Sequence, residues 1–168
     1  MKKLKFILSI FLFALASCGY QFVGGGYINK DVTQAAVEIM ENKSSETGAG
    51  IVFANDLIKE IMETSDTKIV DKAQADAVLK GRINSITFAT LSRSTTESVV
   101  ERRITANIDM RLLDKEGKIV WAVKGLTSQE EYKVSEDKLT DESNKRDAVE
   151  KISQRMAEKL VNRMLNNF

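Results

Sequence analysis

VERRITANIDMRL, residues 100–112, carries the clearest structural pattern in the chain. From Ile104 to Leu112 its side chains are apolar at every second position, with Val100 in the same parity, and charged or polar side chains fill the positions between them. A period of two predicts a long strand with one face in the core and the other in solvent. The next residues, DKEGK at 114–118, suit a tight turn because Gly117 can adopt a positive φ. IVWAVKGLTSQEEY, residues 119–132, then returns as another strand, so we expect an antiparallel hairpin.

A third strand is expected before this hairpin. Residues 75–83, ADAVLKGRI, place their apolar side chains on one face, and from Ile86 onward the apolar positions have the opposite parity. Since a slip of one residue moves every side chain to the other face, a bulge or bend is expected near Asn84-Ser85.

Two segments are typical of amphipathic helices. Apolar residues recur at intervals of three and four over 51–62 and again over 149–168. An apolar run at 35–40 suggests a first strand, and 67–70 could form a brief one. A helix with one apolar stripe must cover an apolar surface, and the inner face of the strands is available. The expected fold is therefore α+β, with two helices packed on one face of a mostly antiparallel four-stranded sheet.

The first residues have the layout of a secretory signal. Three lysines within residues 1–5 are followed by an apolar run over 6–16, which is too short to stay as a membrane span. The run ends in LASC at 15–18, the pattern of the bacterial lipobox, in which the cysteine is acylated before the leader is removed. Cys18 is the only cysteine of the chain, and we expect it to carry an S-diacylglycerol and an N-acyl group.

The lipobox divides the chain into three parts. Residues 1–17 would be removed as a signal peptide, and residues 18–30, with three successive glycines, would form a lipidated flexible tether. Residues 31–168 have the length of a single α+β domain. Because more than one acyl chain gives stable attachment, we expect a membrane anchor at Cys18. Gly19, where an aspartate would favour the inner membrane, favours the outer membrane.

Composition excludes most catalytic chemistry. The chain has no histidine, and its one cysteine is assigned to lipid. These two facts exclude catalysis by a histidine acid or base, catalysis by a cysteine nucleophile, and the common zinc sites. Adjacent carboxylates such as Glu130 and Glu131 would point to opposite faces of a strand. The formal charge is +1 and the leader lysines contribute +3, so the rest carries −2 and lacks the basic face of a nucleic-acid binder. We expect no enzyme, no metal, no cofactor beyond the covalent lipid and no nucleic-acid partner.

Three arginines lie close together in the sequence between two predicted strands. Arg93 belongs to the polar connection 91–98, and Arg102 and Arg103 open the strand that follows. Arginine binds phosphate through paired hydrogen bonds, so these residues are candidates for an anion site. A solvated hairpin tip with ordinary surface arginines is the alternative, and the sequence leaves both open.

The order of these features resembles one protein family. A lipobox running into Cys18-Gly19-Tyr20, ADAVLKGRI at 75–83, a long strand, the DKEGK turn and a terminal helix are together similar to the LptE family of lipopolysaccharide-assembly lipoproteins. The resemblance covers nearly all of the chain after the leader. It implies an outer-membrane lipoprotein, facing the periplasm or a barrel lumen, that plugs the LptD barrel, assists its assembly and takes part in lipopolysaccharide transport to the cell surface.

The same resemblance implies a role for the arginines. Family members are thought to use basic residues at a sheet tip to contact the phosphates of lipid A. This role is carried over to Arg93, with Arg102 and Arg103 as neighbours, as the expected lipopolysaccharide-binding residues.

A second function remains open at this stage. The sequence Ala-Asp-x-x-Leu-x-Gly at the start of a strand, here residues 75–81, also resembles other periplasmic lipoproteins, including activators of penicillin-binding proteins. The alternative is therefore a periplasmic lipoprotein that activates or scaffolds a cell-wall synthase.

Overall fold

A computed structural model describes residues 25–93 and 99–166. The predicted signal peptide, the lipidation at Cys18 and most of the tether lie outside the described residues. The described chain contains, in order, β1 (Gln34–Val37), β2 (Glu41–Asn42), α1 (Ala49–Thr64), β3 (Lys68–Ile69), β4 (Ala77–Arg93), β5 (Val99–Asp114), β6 (Ile119–Lys133) and α2 (Lys138–Asn166). Within these ranges no helix is both long enough and apolar enough to cross a membrane.

The strands form one mixed sheet in the order β3-β1-β4-β5-β6, with β2 paired to β4 outside this path. β4, β5 and β6 are antiparallel neighbours, as the hairpin pattern predicted, whereas β1–β3, β1–β4 and β2–β4 are parallel pairs. The α+β class is confirmed, but a mostly antiparallel sheet of four strands is wrong, because the described sheet is mixed and has six. Parallel neighbours arise here because α1 carries the chain back across the sheet. Strands of two residues are too short to show an alternating pattern.

The bulge expected in β4 is present. Ile83 pairs with Ile108 and Ser85 pairs with Asn107, so Asn84 is the extra residue between two consecutive pairs. Because of this extra residue, the apolar side chains that follow point to the core again, although they occupy positions of the opposite parity in the sequence.

A second irregularity, which the sequence analysis did not predict, lies in the hairpin of β5 and β6. The register shifts between Ile108 and Met110. Gly125 adopts a φ of +64° at this point, and its N–H donates a hydrogen bond of 2.8 Å to Oδ1 of Asp109. This bond is the main reason that the pKa of Asp109 lies below its ordinary value. The carboxylate therefore holds the bend in β6.

Both helices cover one face of the sheet and enclose a single core. Alternate side chains of β5 point toward the helices and are at most 1% exposed: Ile104, Ala106, Ile108, Met110 and Leu112. The facing helical stripes are buried as well: Phe53, Leu57 and Ile61 from α1, and Ile152, Met156, Leu160 and Met164 from α2. The period-two and helical patterns are confirmed for these residues, whereas Val100, Ile51 and Met62, which belong to the same patterns, are exposed. Each large apolar side chain buried in this way contributes about 1.5–3 kcal/mol.

A network around Asp76 joins the starts of β1 and β4 to the β5–β6 turn. Its Oδ2 accepts hydrogen bonds from the Thr33 hydroxyl (2.8 Å) and the Gln34 N–H (3.0 Å), and its Oδ1 lies 3.1 Å from the Lys115 ammonium. The Thr33 hydrogen bond, followed by that of Lys115, holds the pKa of Asp76 at about 2, below its ordinary value of 3.8. The network therefore depends on an ionised carboxylate.

Asp76→Asn should lower the melting temperature at pH 7 and remove part of the loss of stability in acid. Because the folded pKa is depressed, the ionised carboxylate stabilises the fold above about pH 4, and this stabilisation is lost as the pH falls toward about 2. Thermal melts of both proteins at several pH values between these limits measure the difference. The exposed Asp71→Asn is the matched control and should behave like the parent. A difference between Asp76→Asn and the parent that stays constant across this range would contradict the assignment.

Candidate functional site

The sheet tip is the end of the sheet where β4 finishes at Arg93 and β5 begins at Val99. Arg93 pairs with Val99 in the β4–β5 register, and Arg102 and Arg103 lie three and four residues further along β5. The structure thus brings the backbones of the three predicted arginines to the same end of the molecule. Residues 94–98 lie outside the described residues.

Arg103 lies on the open face, which is the face of the sheet turned away from the helices. Its Nη2 and Nε atoms lie 2.6 and 3.1 Å from Oε1 of Glu131, its cross-strand partner on β6. Both side chains are close to half exposed, so this ion pair contributes at most about 1 kcal/mol. The pairing leaves Arg103 partly neutralised.

Arg102 lies on the other side of the same strand. Adjacent residues of a strand point to opposite faces, and Arg102 has the parity of the buried Ile104. Its cross-strand partner on β6, Tyr132, is also buried on the helix side. Arg102 and Arg103 therefore share the sheet tip without sharing a face, although they were predicted as members of one site.

Exposed apolar side chains accompany the arginines at the sheet tip. Leu91 on β4 and Val100 on β5 are both more than a third exposed. Helix α2 starts at this end, and Leu139 in its first turn is 82% exposed. This feature was not predicted, although the apolar Leu91 and Val100 at the two ends of the polar connection were a usable signal in the sequence. The sheet tip therefore combines basic and apolar groups, as a phosphorylated lipid does.

The middle of the open face is polar and uncharged. Nδ2 of Asn84, the residue of the β4 bulge, donates a hydrogen bond of 2.8 Å to Oδ1 of Asn107, and Nδ2 of Asn107 donates one of 3.1 Å to the Thr127 hydroxyl. Threonine and glutamine side chains extend this surface toward the tip: Thr87, Thr105 and Gln129. Neither α1 nor α2 packs on it, so among the described residues this surface is open to water or to a polar partner.

The outer edge of β6 is partly closed by α2. Arg155 donates one hydrogen bond of 2.7 Å to the carbonyl of Gln129 and another of 2.8 Å to Glu130. Asn144 donates one of 2.9 Å to the carbonyl of Lys133. An edge strand with occupied carbonyls and a bulge is a poor template for an added strand. These bonds also fix α2 against the sheet, which positions the sheet tip.

A cavity of about 640 Å³ lies between the loop before α1 and the first half of α2. Glu46 and Lys145 form an ion pair of 3.0 Å in its wall, and the same ammonium lies 5.1 Å from the centre of the Phe88 ring. In the part of the chain that the structure describes, no group of three or more acidic, histidine or cysteine residues could hold a metal ion. The cavity has the features of a structural cleft between two helices.

Two helices behind a mixed sheet with a polar open face, and basic and apolar groups at one end, define a two-layer α+β domain. Residues 32–164 match the family model described as LptE, lipopolysaccharide-assembly. The chain belongs to the LptE family. Because this family assembles lipopolysaccharide and is not a family of enzymes, the resemblance and the non-enzymatic role predicted from the sequence are both confirmed.

Solved structures of bacterial lipoproteins share the fold. A lipoprotein from Caulobacter crescentus CB15 is 18% identical, with 75% of this chain and 87% of that chain covered and a TM-score of 0.57. Lipoprotein B from Nitrosomonas europaea is 14% identical (88% and 90% covered, TM-score 0.57), and rare lipoprotein B from Shewanella oneidensis is 18% identical (80% and 95% covered, TM-score 0.52). At these identities the likeness concerns the fold alone. The search among curated proteins found no match.

Proposed function

We propose that this lipopolysaccharide-assembly lipoprotein is anchored in the outer membrane, plugs an LptD-like barrel and assists its assembly, and takes part in moving lipopolysaccharide to the cell surface. The observation that carries the proposal is the polar open face of a domain from this family. A barrel lumen is itself polar and enclosed. A sheet that presents amide and hydroxyl side chains can exchange hydrogen bonds with such a wall.

The anchor of this protein is the lipid on Cys18, with the N-acyl and S-diacylglycerol groups of a bacterial lipoprotein. The described chain starts at the base, which is the end of the sheet opposite the tip. There the N–H of Gly26 donates a hydrogen bond of 2.7 Å to Asp66, and Gly26 lies beside Leu165 near the end of α2. Six residues, 19–24, lie between Cys18 and Gly25, so the two Cα atoms can be about 25 Å apart at most. The anchor therefore holds the base near the membrane and leaves the sheet tip at the far end.

The arginines of the sheet tip, Arg93, Arg102 and Arg103, bind the phosphates of lipopolysaccharide in this proposal. Their guanidinium groups favour phosphate oxygens, and the exposed Leu91 and Leu139 suit the acyl chains of the same molecule. Because Arg103 is already paired with Glu131, part of its positive charge is offset before a phosphate binds.

A pull-down from native membranes tests the function. The tagged full chain, solubilised in a mild detergent, should co-purify with a large heat-modifiable barrel protein, and a tagged lipoprotein of another family, expressed at the same level, should not. Depletion of the chain should also make cells permeable to large antibiotics, because lipopolysaccharide would no longer reach the surface. A cell-wall synthase as the sole partner, with normal permeability on depletion, would support the alternative function and refute this one.

A further inference from the structure

A second group of cations surrounds a depression on the open face, near the base. This base cavity has a volume of about 240 Å³ and lies where β2, β4, β5 and β6 come together. Four basic side chains and two carboxylates line it: Lys80, Arg82, Arg111, Lys124, Glu41 and Asp109. The lining therefore carries two positive charges in excess, in a chain whose overall charge is close to zero.

The two carboxylates of the base cavity are committed to other groups. Oδ1 of Asp109 accepts the hydrogen bond from the Gly125 N–H that holds the bend in β6. Glu41 lies 2.6 Å from Lys43 and 2.7 Å from Arg82, and these bonds keep its pKa below the ordinary value. Both groups stay ionised at neutral pH, and their charge is already shared with partners.

The other basic side chains of the base cavity lie close enough to one another to repel. Lys80 and Arg111 are direct cross-strand partners, which places their Cβ atoms about 5 Å apart, and like charges in this arrangement are destabilising. Lys80 is 3.3 Å from Glu38, but that carboxylate also binds Lys72 at 2.7 Å. Over residues 25–93 and 99–166, no carboxylate lies within 4 Å of the basic atoms of Arg111 or Lys124. A bound anion would offset this repulsion.

We infer that the base cavity binds a phosphate group, held by Arg111 and Lys124 with Lys80 beside them. Arginine supplies a planar pair of donors and lysine a mobile point charge, the usual combination around phosphate. The phosphate can belong to the sugar of a glycolipid, an assignment that rests on the proposed function, or it can be free inorganic phosphate. The cavity is separate from the sheet tip, since Arg111 lies eight positions after Arg103 along β5, a distance of about 26 Å.

The test is a titration of the isotope-labelled full chain in a nonionic detergent, first with inorganic phosphate and then with lipopolysaccharide, followed by amide NMR. Phosphate should shift amides around 80–82, 109–111 and 124–125 in a saturable way. R111Q/K124Q should weaken phosphate binding at least tenfold, and added salt should reduce the affinity of the parent chain. K59Q/R163Q removes the same charge from exposed helical positions and should change the affinity less than twofold.

Comparison of the variants separates the sources of the phosphate. R93Q/R102Q/R103Q, which alters only the sheet tip, should leave inorganic phosphate binding at the base unchanged. If R111Q/K124Q weakens binding of both phosphate and lipopolysaccharide, the glycolipid is a ligand of the base cavity. If it weakens only phosphate binding, the site is for free phosphate, whatever the pull-down shows.

Three results would overturn the inference. Phosphate could bind R111Q/K124Q as tightly as the parent chain, or it could bind the parent without shifting the amides of the base cavity. Alternatively, R111Q/K124Q could weaken binding to vesicles of anionic phospholipid while the binding of phosphate and of lipopolysaccharide stays unchanged. This surface would then be a membrane contact. In each case the pull-down result for the barrel stands on its own, so failure of this site and failure of the proposed function are distinguishable.

Discussion

Replacing Ile108 by alanine should lower the free energy of unfolding by about 3–4 kcal/mol, through lost burial and a cavity that the sheet cannot close. Ile108 is fully buried at the centre of β5, between Ile83 on β4 and Leu126 on β6. Long strands on both sides hold its backbone, so the surroundings cannot collapse into the space. Chemical denaturation followed by circular dichroism measures the change.

Ile119→Ala is the matched control for this prediction. It removes the same atoms from another strand, but Ile119 is 49% exposed at the start of β6. The expected cost is below about 1 kcal/mol, because most of this side chain stays in water in the folded state. Equal losses for the two variants would show that β5 does not form the centre of the core.

Gly50→Ala is expected to have the next largest effect, with a loss of about 2–3 kcal/mol. In an unobstructed helix this replacement stabilises by about 1 kcal/mol, because alanine loses less backbone entropy than glycine. At this position a Cβ atom would overlap the backbone carbonyl of Met40, which cannot rotate away as a side chain could. The N–H of Met40 also donates a hydrogen bond of 3.2 Å to the carbonyl of Gly50. The start of α1 would have to move away from the sheet.

Gly117→Ala separates steric overlap from backbone strain. Gly117 has a φ of +81° in the turn between β5 and β6, with open space where a Cβ would lie. Its replacement should cost about 1–2 kcal/mol from the left-handed conformation alone. The same denaturation series measures both variants. If Gly50→Ala proves as stable as the parent, or more stable, the close approach of α1 to Met40 is wrong.

Local sequence patterns were sufficient to predict the strands and helices that bury one face. The alternation over 100–112 corresponds to β5, the change of parity after Ile83 corresponds to the bulge at Asn84, and the apolar stripe over 149–168 corresponds to most of α2. These features are readable because burial of one face imposes a period on the residues themselves.

Other features depend on residues that are distant in the sequence. The strands β2 and β3 have two residues each and exist only because β4 and β1 offer free edges beside them. The ion pair of Arg103 with Glu131 follows from the register of β5 and β6, which a turn and a bulge set together. Without that register, the sequence could name Arg103 as a candidate but could not identify its partner.

By itself, the sequence determined the α+β class, the positions of the long strands and helices, and membership of a lipopolysaccharide-assembly family with no catalytic histidine or second cysteine. Only the tertiary structure decided that the sheet is mixed, that Gly125 and Asp109 bend β6, and that Lys80, Arg111 and Lys124 meet in one cavity. The physical reason is the distance along the sequence over which each feature is decided. Periodicity reflects which side of its own element a residue buries, whereas strand order and register depend on how the whole chain closes its core.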